Sequence, residues 1–368
     1  MTTPIPSQLL LIGVGGAGAS MVRGILRAYG PGIRTLILDT DAQFGGNDGV
    51  PFMLLGGNRL AGRGTGGQPA SARASFQDNP EVIDHQLNGV RTAVVVTALG
   101  GGTGGGATGE LLKHLHTLGI VTLLFATMPF AWEGEERMRL AKTSAGPVCQ
   151  HADVSVLLPL DQLVANAGDN MKEALIRGVD TLASGVTLLW RILEKPGYIH
   201  LDAERLRNIL TKCGRAQFAT ATASGENRAQ DILAAFAEHP LLNRGAAHAP
   251  VRTMLVGVLA GDDLRLSEVA TVASGITAAF GQGQHSTLEL GTVNDEATFS
   301  GRLSVVMLLF EESAMAATPS RTGTTAPKSG HSQEHVANSR FRNAEKTLWN
   351  NEDLDIPTYI RRQLTLDR

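Results

Sequence analysis

The fold of this chain is decided by one stretch, Thr92-Ala-Val-Val-Val-Thr-Ala-Leu-Gly-Gly-Gly-Thr-Gly-Gly-Gly106. Its β-branched beginning is typical of a buried parallel strand, and a helical segment follows from about Gly106 to Leu118. Consecutive glycines allow backbone N–H groups to close around an anion, and a helix N-terminus adds a favourable dipole. The stretch therefore predicts a phosphate-binding loop; a flexible glycine linker is the alternative, which the position between strand and helix disfavours.

Strand and helix signals alternate on both sides of this loop. Besides the strand at Thr92 to Thr97, apolar runs predict strands at Leu9 to Val14, Ile33 to Leu38, Ile120 to Ala126 and Val154 to Leu158. A helix is also predicted from Ala17 to about Tyr29. The alternation predicts a doubly wound, mostly parallel α/β sheet that binds ligands at the carboxyl ends of its strands.

The second half of the chain predicts a long central helix and a smaller α+β domain. Apolar residues recur at helical spacing from about Met171 to Leu193, which suits a helix that crosses the whole molecule. The segments that follow predict strands at Val251 to Leu259 and Leu303 to Phe310, and helices at Arg228 to Glu238 and Ser267 to Phe280.

Composition changes abruptly after Glu312. Ser313 to Asn338 is rich in Ser, Thr, Pro, Gly and Ala, which predicts a disordered, flexible linker. Apolar residues return near the end of the chain, which is typical of a tethered docking peptide. The predicted parts are a nucleotide-binding domain (1–170), the central helix with its following loop (171–202), a C-terminal domain (203–312), a linker (313–346) and the docking peptide (347–368).

Composition also limits the function. Apolar residues make up 43% of the 368 residues and charged residues 18%, so most of the chain can bury a core. A formal charge of −3 argues against a nucleic-acid binder. Cys149 and Cys213 form no CxxC pair, so neither a disulfide framework nor a zinc site is indicated. With no signal peptide and no membrane span evident, we expect a soluble cytoplasmic protein.

Two further glycine-rich turns accompany the first. Gly13 to Gly18 fits the G-x-G-x-x-G fingerprint of dinucleotide-binding enzymes, and Asp39 lies where their ribose-binding acid belongs. Gly64 to Pro69 could close over a terminal phosphate. A pair of phosphate loops favours a triphosphate over the single pyrophosphate of NAD, and the P-loop pattern is missing from the sequence. An NAD dehydrogenase stays as a distant alternative.

The glycine run and its surroundings resemble the tubulin/FtsZ family. The similarity includes a first glycine loop at Gly13 to Ser20, and it continues into the second domain and the C-terminal peptide, Asp355-Ile356-Pro357 with Arg361-Arg362. The other matching segments are Asp39-Thr40-Asp41-Ala42-Gln43 (Asn-Thr-Asp-Ala-Gln in the family), Pro129 to Arg137, Ala223 to Ala229 and Asp263 to Leu266.

The resemblance implies a GTP/GDP site with Mg²⁺ held through the phosphates. Glu133 is expected to accept from the ribose hydroxyls, Arg137 to lie near the phosphates, and Asp180 to accept the N1 and N2 protons of guanine. With the third turn included, the expected nucleotide contacts are Gly15, Gly16, Ala17, Gly18, Ala19, Ser20, Asp41, Gly64, Thr65, Gly66, Gly67, Gly101, Gly102, Thr103, Gly104, Gly105, Glu133, Arg137 and Asp180. Without the motif, Glu133 and Arg137 would be taken for a surface ion pair. Near the base, Ser20, Leu175 and Val179 depart from the family pattern.

The resemblance also implies assembly-dependent GTP hydrolysis, because the hydrolytic acids reach the nucleotide of the next subunit in a head-to-tail filament. The family's Asn-x-Asp-x-x-Asp reads here as His200-Leu201-Asp202-Ala203-Glu204-Arg205. Candidate catalytic residues are thus Asp202, Glu204 and His200, while Arg205 cannot act as a base. Two interpretations stay open: a slow polymerising GTPase of bacterial cell division, or a nucleotide-binding scaffold with little turnover.

The tail implies a second partner. In the docking peptide, Ile356, Pro357, Tyr359, Ile360 and Arg361 are expected to bind a membrane-tethering division adaptor, with the apolar members on one helical face. The resemblance therefore implies a homopolymer located at the division site beneath the membrane.

Overall fold

The computed structural model describes residues 8–30, 32–163, 171–194, 197–199, 201, 203–211, 214–242, 251–281, 286–311, 348–349 and 352–353. The chain separates into two compact units, Met1–Thr318 and Pro319–Arg368.

The first unit is built on a ten-stranded sheet. Its strands are β1 (Leu9–Val14), β2 (Thr35–Asp39), β3 (Phe52–Leu54), β4 (Thr92–Ala98), β5 (Val121–Met128), β6 (Val154–Pro159), β7 (Gly214–Ser224), β8 (Val251–Ala260), β9 (Thr287–Asn294) and β10 (Arg302–Glu311). They lie in the order β3-β2-β1-β4-β5-β6-β7-β10-β8-β9. All neighbouring pairs from β3 to β7 are parallel, β10 is antiparallel to β7 and β8, and β9 is parallel to β8. The predicted mostly parallel α/β sheet is confirmed.

Helices cover both faces of the sheet. They are α1 (Gly15–Tyr29), α2 (Gly57–Leu60), α3 (Pro69–Gln77), α4 (Asp84–Leu87), α5 (Gly102–Thr117), α6 (Glu135–His151), α7 (Leu160–Leu163), α8 (Met171–Glu194), α9 (Ala203–Leu210), α10 (Arg228–Ala237), α11 (Leu266–Phe280) and α12 (Glu296–Phe299). Among the described residues, no helix has the length and apolar character needed to cross a bilayer.

Alternation along the strands divides the core between the two faces. Val94 and Val96 pack with α1 and α8 on one face, while Val95 packs with α3 and α5 on the other. A third cluster fills the space between α10, α11 and the second half of the sheet. Parallel strands buried on both faces need apolar residues at nearly every position, which is what TAVVVTA provides.

The central helix α8 joins the two halves of the sheet. Leu182, Val186 and Leu189 are buried in the same cluster as Val94 from β4 and Val306 from β10. The predicted central helix is confirmed. The bounds predicted for the separate domains stay a prediction.

Some elements differ from their predicted positions. Helices α1 and α5 begin inside the glycine loops, at Gly15 and Gly102, rather than after them. Strand β7 was not predicted because its Ala- and Thr-rich sequence, GRAQFATATAS, carries only one large apolar residue. Strand formation there follows from its pairing with β10 along most of its length.

In the second unit, β11 (Leu348–Trp349) pairs antiparallel with β12 (Glu352–Asp353). The predicted linker and the docking residues lie outside the described part of the chain.

Candidate functional site

A cavity of about 620 Å³ opens at the carboxyl ends of β1, β2 and β4. The two glycine loops meet there: a Cβ atom at Gly15 would lie 3.2 Å from the backbone nitrogen of Gly104 and 3.5 Å from Cβ of Thr103. Predicted nucleotide contacts that line the cavity are Gly15, Gly16, Ala17, Ser20, Asp41, Gly64, Thr65, Gly66, Gly67, Gly101, Gly102, Thr103, Gly104 and Arg137. Residues from separate parts of the sequence thus form one pocket, at the edge of the sheet where the fold predicts a ligand.

The second glycine loop is fitted closely to its surroundings. A Cβ atom at Gly104 would lie 2.2 Å from the carbonyl oxygen of Ala98, and one at Gly102 would lie 1.9 Å from Oγ1 of Thr65. Gly100 has φ +91°, a backbone conformation that favours glycine. Close approach rather than flexibility therefore explains the glycines, and the linker alternative is wrong.

Three other predicted contacts pack into the fold instead of lining the cavity. A Cβ atom at Gly18 would lie 2.8 Å from the carbonyl oxygen of Val96, and one at Gly105 would lie 2.8 Å from Oγ of Ser144. Ala19 is fully buried in the core. These residues lie on the buried faces of α1 and α5. Their close packing fixes the two helices, and with them the glycine loops, beside the cavity.

Hydrogen bonds join the end of β2 to the second glycine loop. Oγ1 of Thr103 donates to Oδ1 of Asp39 over 3.1 Å and lies 2.7 Å from Oγ1 of Thr40. The same Oδ1 accepts from the backbone N–H groups of Thr40 (2.7 Å) and Asp41 (3.2 Å). The network fixes the position of Thr103 at the first turn of α5.

Asp39 is the most unusual group of the cavity. The residue is 2% exposed, and its Oδ2 atom is buried without a hydrogen-bond partner. Burial raises the pKa of its carboxyl, although the bonds from Asp41, Thr40 and Thr103 act in the opposite direction. Sequence reasoning considered Asp39 as a ribose ligand of a dinucleotide enzyme and as part of a segment that matches the family, but not as a nucleotide contact. The burial of its Oδ2 atom cannot be predicted from the sequence.

Glu133 and Arg137 form the ion pair that the sequence allows. Oε2 of Glu133 lies 2.8 Å from Nη1 of Arg137, and Oε1 accepts from the backbone N–H of Phe130 over 2.9 Å. Both residues line a smaller cavity of about 220 Å³, which shares Ala17, Ser20, Ala98 and Arg137 with the larger one. Because a carboxylate offers further lone pairs, this pairing leaves Glu133 able to accept another hydrogen bond.

Among the other residues that line the larger cavity, sequence reasoning missed the aromatic side chain of Phe44 and the basic side chain of Arg63. Phe44 lies over the first glycine loop, where a Cβ atom at Gly16 would be 2.4 Å from Cζ of its ring. Arg63 pairs through its backbone with Asp41, which brings the third glycine turn to the cavity. No local pattern marks either residue, because both reach the site through chain reversals.

At the loop that follows α8, the described residues are docked on β9. The backbone N–H of Ile199 donates to Oγ1 of Thr292, and the backbone N–H of Thr292 donates to the carbonyl of Ile199, both over 2.9 Å. Leu201 is buried against Gly291, whereas Tyr198 is 75% exposed. The candidate catalytic residues His200 and Asp202, and the side chain of Glu204, lie outside the described part of the structure.

Arg205 lies beside this loop in α9. Its Nη2 atom is 2.7 Å from Oε1 of Glu289 on β9, and its side chain is 66% exposed. The bond to Glu289 raises the pKa of the Arg205 guanidinium. Arg205 is therefore fully charged at any physiological pH.

Asp180 lies in α8, and only its backbone is described. The expected docking residues Ile356, Pro357, Tyr359, Ile360 and Arg361 lie outside the described residues, so their roles stay predictions.

Comparison with known families agrees with this geometry. Residues 8–168 match the GTPase domain of the Tubulin/FtsZ family, and residues 214–310 match the C-terminal domain of the FtsZ family. The first match contains all three glycine turns, and the second contains strands β7 to β10 up to Phe310.

Relatives of similar sequence cover nearly the whole chain. The cell division protein FtsZ of Pseudomonas putida is 30% identical over 367 residues, which cover 98% of this chain and 90% of the relative. The cell division protein FtsZ of Pseudomonas aeruginosa is 30% identical over 360 residues, covering 96% of this chain and 88% of the relative.

Solved structures share the fold. An empty FtsZ dimer from M. jannaschii has a TM-score of 0.74 at 24% identity and covers 82% of this chain and 87% of that chain. CetZ2 from Haloferax volcanii, solved as a GTPγS-bound protofilament, has a TM-score of 0.68 at 23% identity and covers 82% of this chain and 92% of that chain. By sequence, this chain belongs to the tubulin/FtsZ family, the cytoskeletal GTPases of cell division.

Proposed function

We propose that the chain binds GTP and GDP, with Mg²⁺ held through the phosphates, and assembles head to tail into filaments that hydrolyse GTP where subunits meet. The observation that carries this proposal is the convergence of two glycine loops, from β1 and from β4, on one cavity. Each loop is also the first turn of a helix, α1 or α5.

The cavity fits a chain of phosphates. Backbone N–H groups in the first turn of a helix have no partner within the helix, and the helix dipole favours negative charge there. Two helix N-termini at one cavity favour a polyphosphate over the single pyrophosphate that a dinucleotide enzyme binds at one such loop. The GTPγS-bound state of CetZ2 supports the same ligand class.

The packing of α1 on α8 supports a guanine contact by Asp180. The hydroxyl of Tyr29, at the end of α1, donates to the carboxylate of Glu194, at the end of α8, and the two helices pack side by side. Asp180 precedes Glu194 by the same number of residues as Gly15 precedes Tyr29. We propose that the two helices run in the same direction, so that a rise of about 1.5 Å per residue brings Asp180 level with Gly15.

The same packing separates the cavity from the loop after α8. Helix α1 has 15 residues, so its end at Tyr29 lies about 22 Å from its start at the cavity. The loop that begins after Glu194 is therefore at the far end of this helix pair. Ile199 and Leu201 contact β9 at that end, which supports the proposal that Asp202 acts on the nucleotide of the next subunit in a head-to-tail stack.

We infer that hydrolysis is slow. In the proposed mechanism, Asp202 orients the attacking water or accepts its proton, with His200 and Glu204 beside it. Arg205 stands where the family has a second carboxylate, and its guanidinium cannot accept a proton. The Arg205–Glu289 ion pair favours the second candidate function, a filament scaffold with little turnover, because it fixes a cation against β9 at the position where the family has its second carboxylate.

For the tail, we propose docking on a membrane-tethering adaptor, which would place the filament at the division site beneath the membrane. The sequence predicts a helix start at Pro357, and Ile356, Tyr359 and Ile360 would then share one face at three- and four-residue spacing. A chain truncated after Glu312 should assemble normally and fail to localise. Unaided localisation of this truncation would contradict the docking role.

The main proposal is tested by GTP turnover measured as phosphate release at increasing protein concentration. We expect turnover per subunit to rise steeply above an assembly threshold seen by light scattering. Filaments without turnover would support the scaffold, and failure to bind GDP or GTP in calorimetry would contradict both versions.

A further inference from the structure

One of the two basic side chains at the larger cavity has no ion-pair partner. Of the described residues that line this cavity, Arg63 and Arg137 are the basic ones. Arg137 is paired with Glu133 over 2.8 Å. Arg63 is exposed, and no carboxylate in the described part of the chain forms an ion pair with its guanidinium. The guanidinium of Arg63 is therefore available to an anionic ligand.

Backbone hydrogen bonds fix Arg63 beside the cavity. The carbonyl of Gly62 accepts from the N–H of Ala42 over 3.0 Å. The N–H of Gly64 donates to the carbonyl of Thr40 over 3.1 Å. Both neighbours of Arg63 are thus tied to the segment that follows β2. Because none of these bonds uses the Arg63 side chain, substitutions at this position should leave the backbone of the turn in place.

The same turn contains a strained residue. Ala61, two residues before Arg63, has φ +48° and is the only non-glycine residue of the described chain with a positive φ. This conformation is sterically unfavourable for a residue that carries a Cβ atom. Such strain persists where the surrounding contacts fix the backbone, and it concentrates at ligand sites. Here it lies in the chain reversal that returns to the cavity at Arg63.

The order of the strands places Arg63 and Glu133 on opposite sides of the glycine loops. This part of the sheet has the order β2-β1-β4-β5. Arg63 is tied to the segment after β2, the two glycine loops follow β1 and β4, and Glu133 follows β5. Three strand spacings separate β2 from β5, which is about 14 Å. A nucleotide whose ribose is bound by Glu133 would therefore extend its phosphates over the two loops toward Arg63.

We propose that Arg63 binds the terminal phosphate of a nucleoside triphosphate and makes the cavity prefer the triphosphate over the diphosphate. This inference rests on the proposed function of the cavity. The planar guanidinium donates charge-assisted hydrogen bonds to two phosphate oxygens at once. A diphosphate bound in the same register ends over the glycine loops and does not reach it. No bond in the ligand is made or broken.

The charges on this side of the cavity support the assignment. Asp41 lies beside the third glycine turn, since a Cβ atom at Gly64 would be 3.6 Å from its Oδ2 atom. The Asp41 carboxylate repels an additional phosphate, because both groups are negative. Arg63 supplies a positive charge at the same place, as the backbones of Asp41 and Arg63 are paired. A terminal phosphate at this position therefore depends on the Arg63 guanidinium more than the other phosphates do.

The test compares calorimetric titrations of GTP and GDP with the wild-type protein and with Arg63→Gln. Both proteins are used below the assembly threshold and at one Mg²⁺ concentration. Loss of a charge-assisted hydrogen bond typically weakens binding by about 10- to 100-fold. We expect GTP to lose affinity by this factor and GDP by about threefold or less. The ratio of the GDP Kd to the GTP Kd should thus fall in Arg63→Gln.

Arg59→Gln is the matched control. Arg59 lies in α2, four residues before Arg63, and its guanidinium is bonded to Asp78 over 2.9 and 3.0 Å. Since Arg59 does not line the cavity, its substitution should leave both affinities unchanged. Arg63→Lys retains the positive charge without the bidentate geometry, so it should lose less GTP affinity than Arg63→Gln. Thermal unfolding of all variants should match the wild type, because both arginines are exposed.

An unchanged ratio of the two affinities in Arg63→Gln would overturn the inference and leave the proposed function intact. Equal weakening of GTP and GDP has the same meaning, because Arg63 would then act on a part that both nucleotides share. Wild-type protein that is folded but binds neither nucleotide would contradict the proposed function and the inference together.

Discussion

The cavity and the loop after α8 are held in place by different kinds of contact. At the cavity, the fit depends on backbone atoms: glycines of one loop touch carbonyl oxygens, a hydroxyl and glycines of the next. At the loop, the backbone of Ile199 is hydrogen-bonded to Thr292. Arg205, beside the candidate catalytic positions, is held instead by an exposed side-chain ion pair with Glu289.

This difference separates binding from chemistry. A site made of backbone contacts tolerates almost no substitution, and here it keeps the family pattern of glycines. An exposed side chain can change charge without loss of the fold, because surface ion pairs contribute little to stability. Under the proposed function, we therefore expect nucleotide binding to be retained and hydrolysis to be altered.

The largest effect is expected for Gly104→Ala at the cavity. The new methyl group would lie 2.2 Å from the carbonyl oxygen of Ala98 and 2.8 Å from Oγ1 of Thr97, so α5 must move. We expect a loss of about 3 kcal/mol or more in unfolding free energy and GDP binding weakened by about 100-fold or more. Thermal unfolding and calorimetry measure the two effects.

Gly109→Ala in the same helix is the matched control. A Cβ atom there meets only Cγ2 of Val148, at an ordinary distance of 3.8 Å. Replacement of a helical glycine by alanine should then stabilise the protein by up to about 1 kcal/mol. Similar losses in the two variants would show that the cavity is not constrained by backbone contacts.

In the loop after α8, Asp202→Ala should lower assembly-dependent GTP turnover by about 10²–10⁴-fold, because it removes the remaining acid of the family motif. GDP binding by isolated subunits should not change, since the residue acts on the nucleotide of its neighbour. Phosphate release and calorimetry are compared on the same preparation. Unchanged turnover would remove Asp202 from the mechanism.

Arg205→Asp should have the opposite effect and raise turnover, by about tenfold or more, because it restores a carboxylate to the second position. Glu289→Gln is the control, since it breaks the ion pair and leaves the guanidinium in place. Phosphate release should increase only in the first variant. Wild-type turnover at ordinary family rates that falls in Glu204→Ala would instead show that Glu204 replaces the missing acid.

Local patterns explain what could be predicted from the sequence. TAVVVTA and the neighbouring runs are apolar at nearly every position, so the parallel strands β1, β4, β5 and β6 followed directly. Glycine clusters after strands then located the cavity, because ligands of such sheets bind at the carboxyl ends. The start of α5 was placed too late since glycine disfavours helices, and only the contact with Ala98 reveals why glycine is needed there.

Contacts between distant segments explain what could not be predicted. Phe44 and Arg63 reach the cavity only because the chain reverses between them, and neither belongs to a recognisable motif. The Oδ2 atom of Asp39 has no hydrogen-bond partner because the fold buries it, which no local sequence pattern indicates. The bond from Arg205 to Glu289 joins residues of α9 and β9, which the sequence keeps far apart.

A smaller effect is expected for Asp180→Ala. Removal of a carboxylate that accepts from guanine N1 and N2 should weaken GTP binding while leaving ATP binding nearly unchanged, because adenine offers no matching donor pair. We expect the GTP/ATP preference to fall by about tenfold or more. Competition binding with both nucleotides measures it. Equal wild-type affinity for GTP and ATP would remove guanine recognition from the cavity.

The smallest effect concerns the stability of the ligand-free protein and distinguishes the cavity from the C-terminal half. Burial raises the pKa of Asp39, so the folded state holds this proton more tightly than the unfolded state does. The wild type should therefore lose stability relative to Asp39→Asn as pH rises from the unfolded pKa through the folded pKa, and the difference should then become constant.

Glu268, in the C-terminal half, should show the opposite pH dependence of stability. Its hydrogen bond with Arg228 lowers its pKa, so the destabilisation caused by Glu268→Gln should disappear as pH falls. Each unit of pKa change corresponds to about 1.4 kcal/mol, which is about 2–4 °C in melting temperature or less for a chain of this size. The Glu268 effect falls below its ordinary pKa of 4.5 and the Asp39 effect begins above its ordinary pKa of 3.8. Melting curves of the three proteins are therefore compared from about pH 3 to 8. Parallel curves for wild type and Asp39→Asn would show that Asp39 has an ordinary pKa.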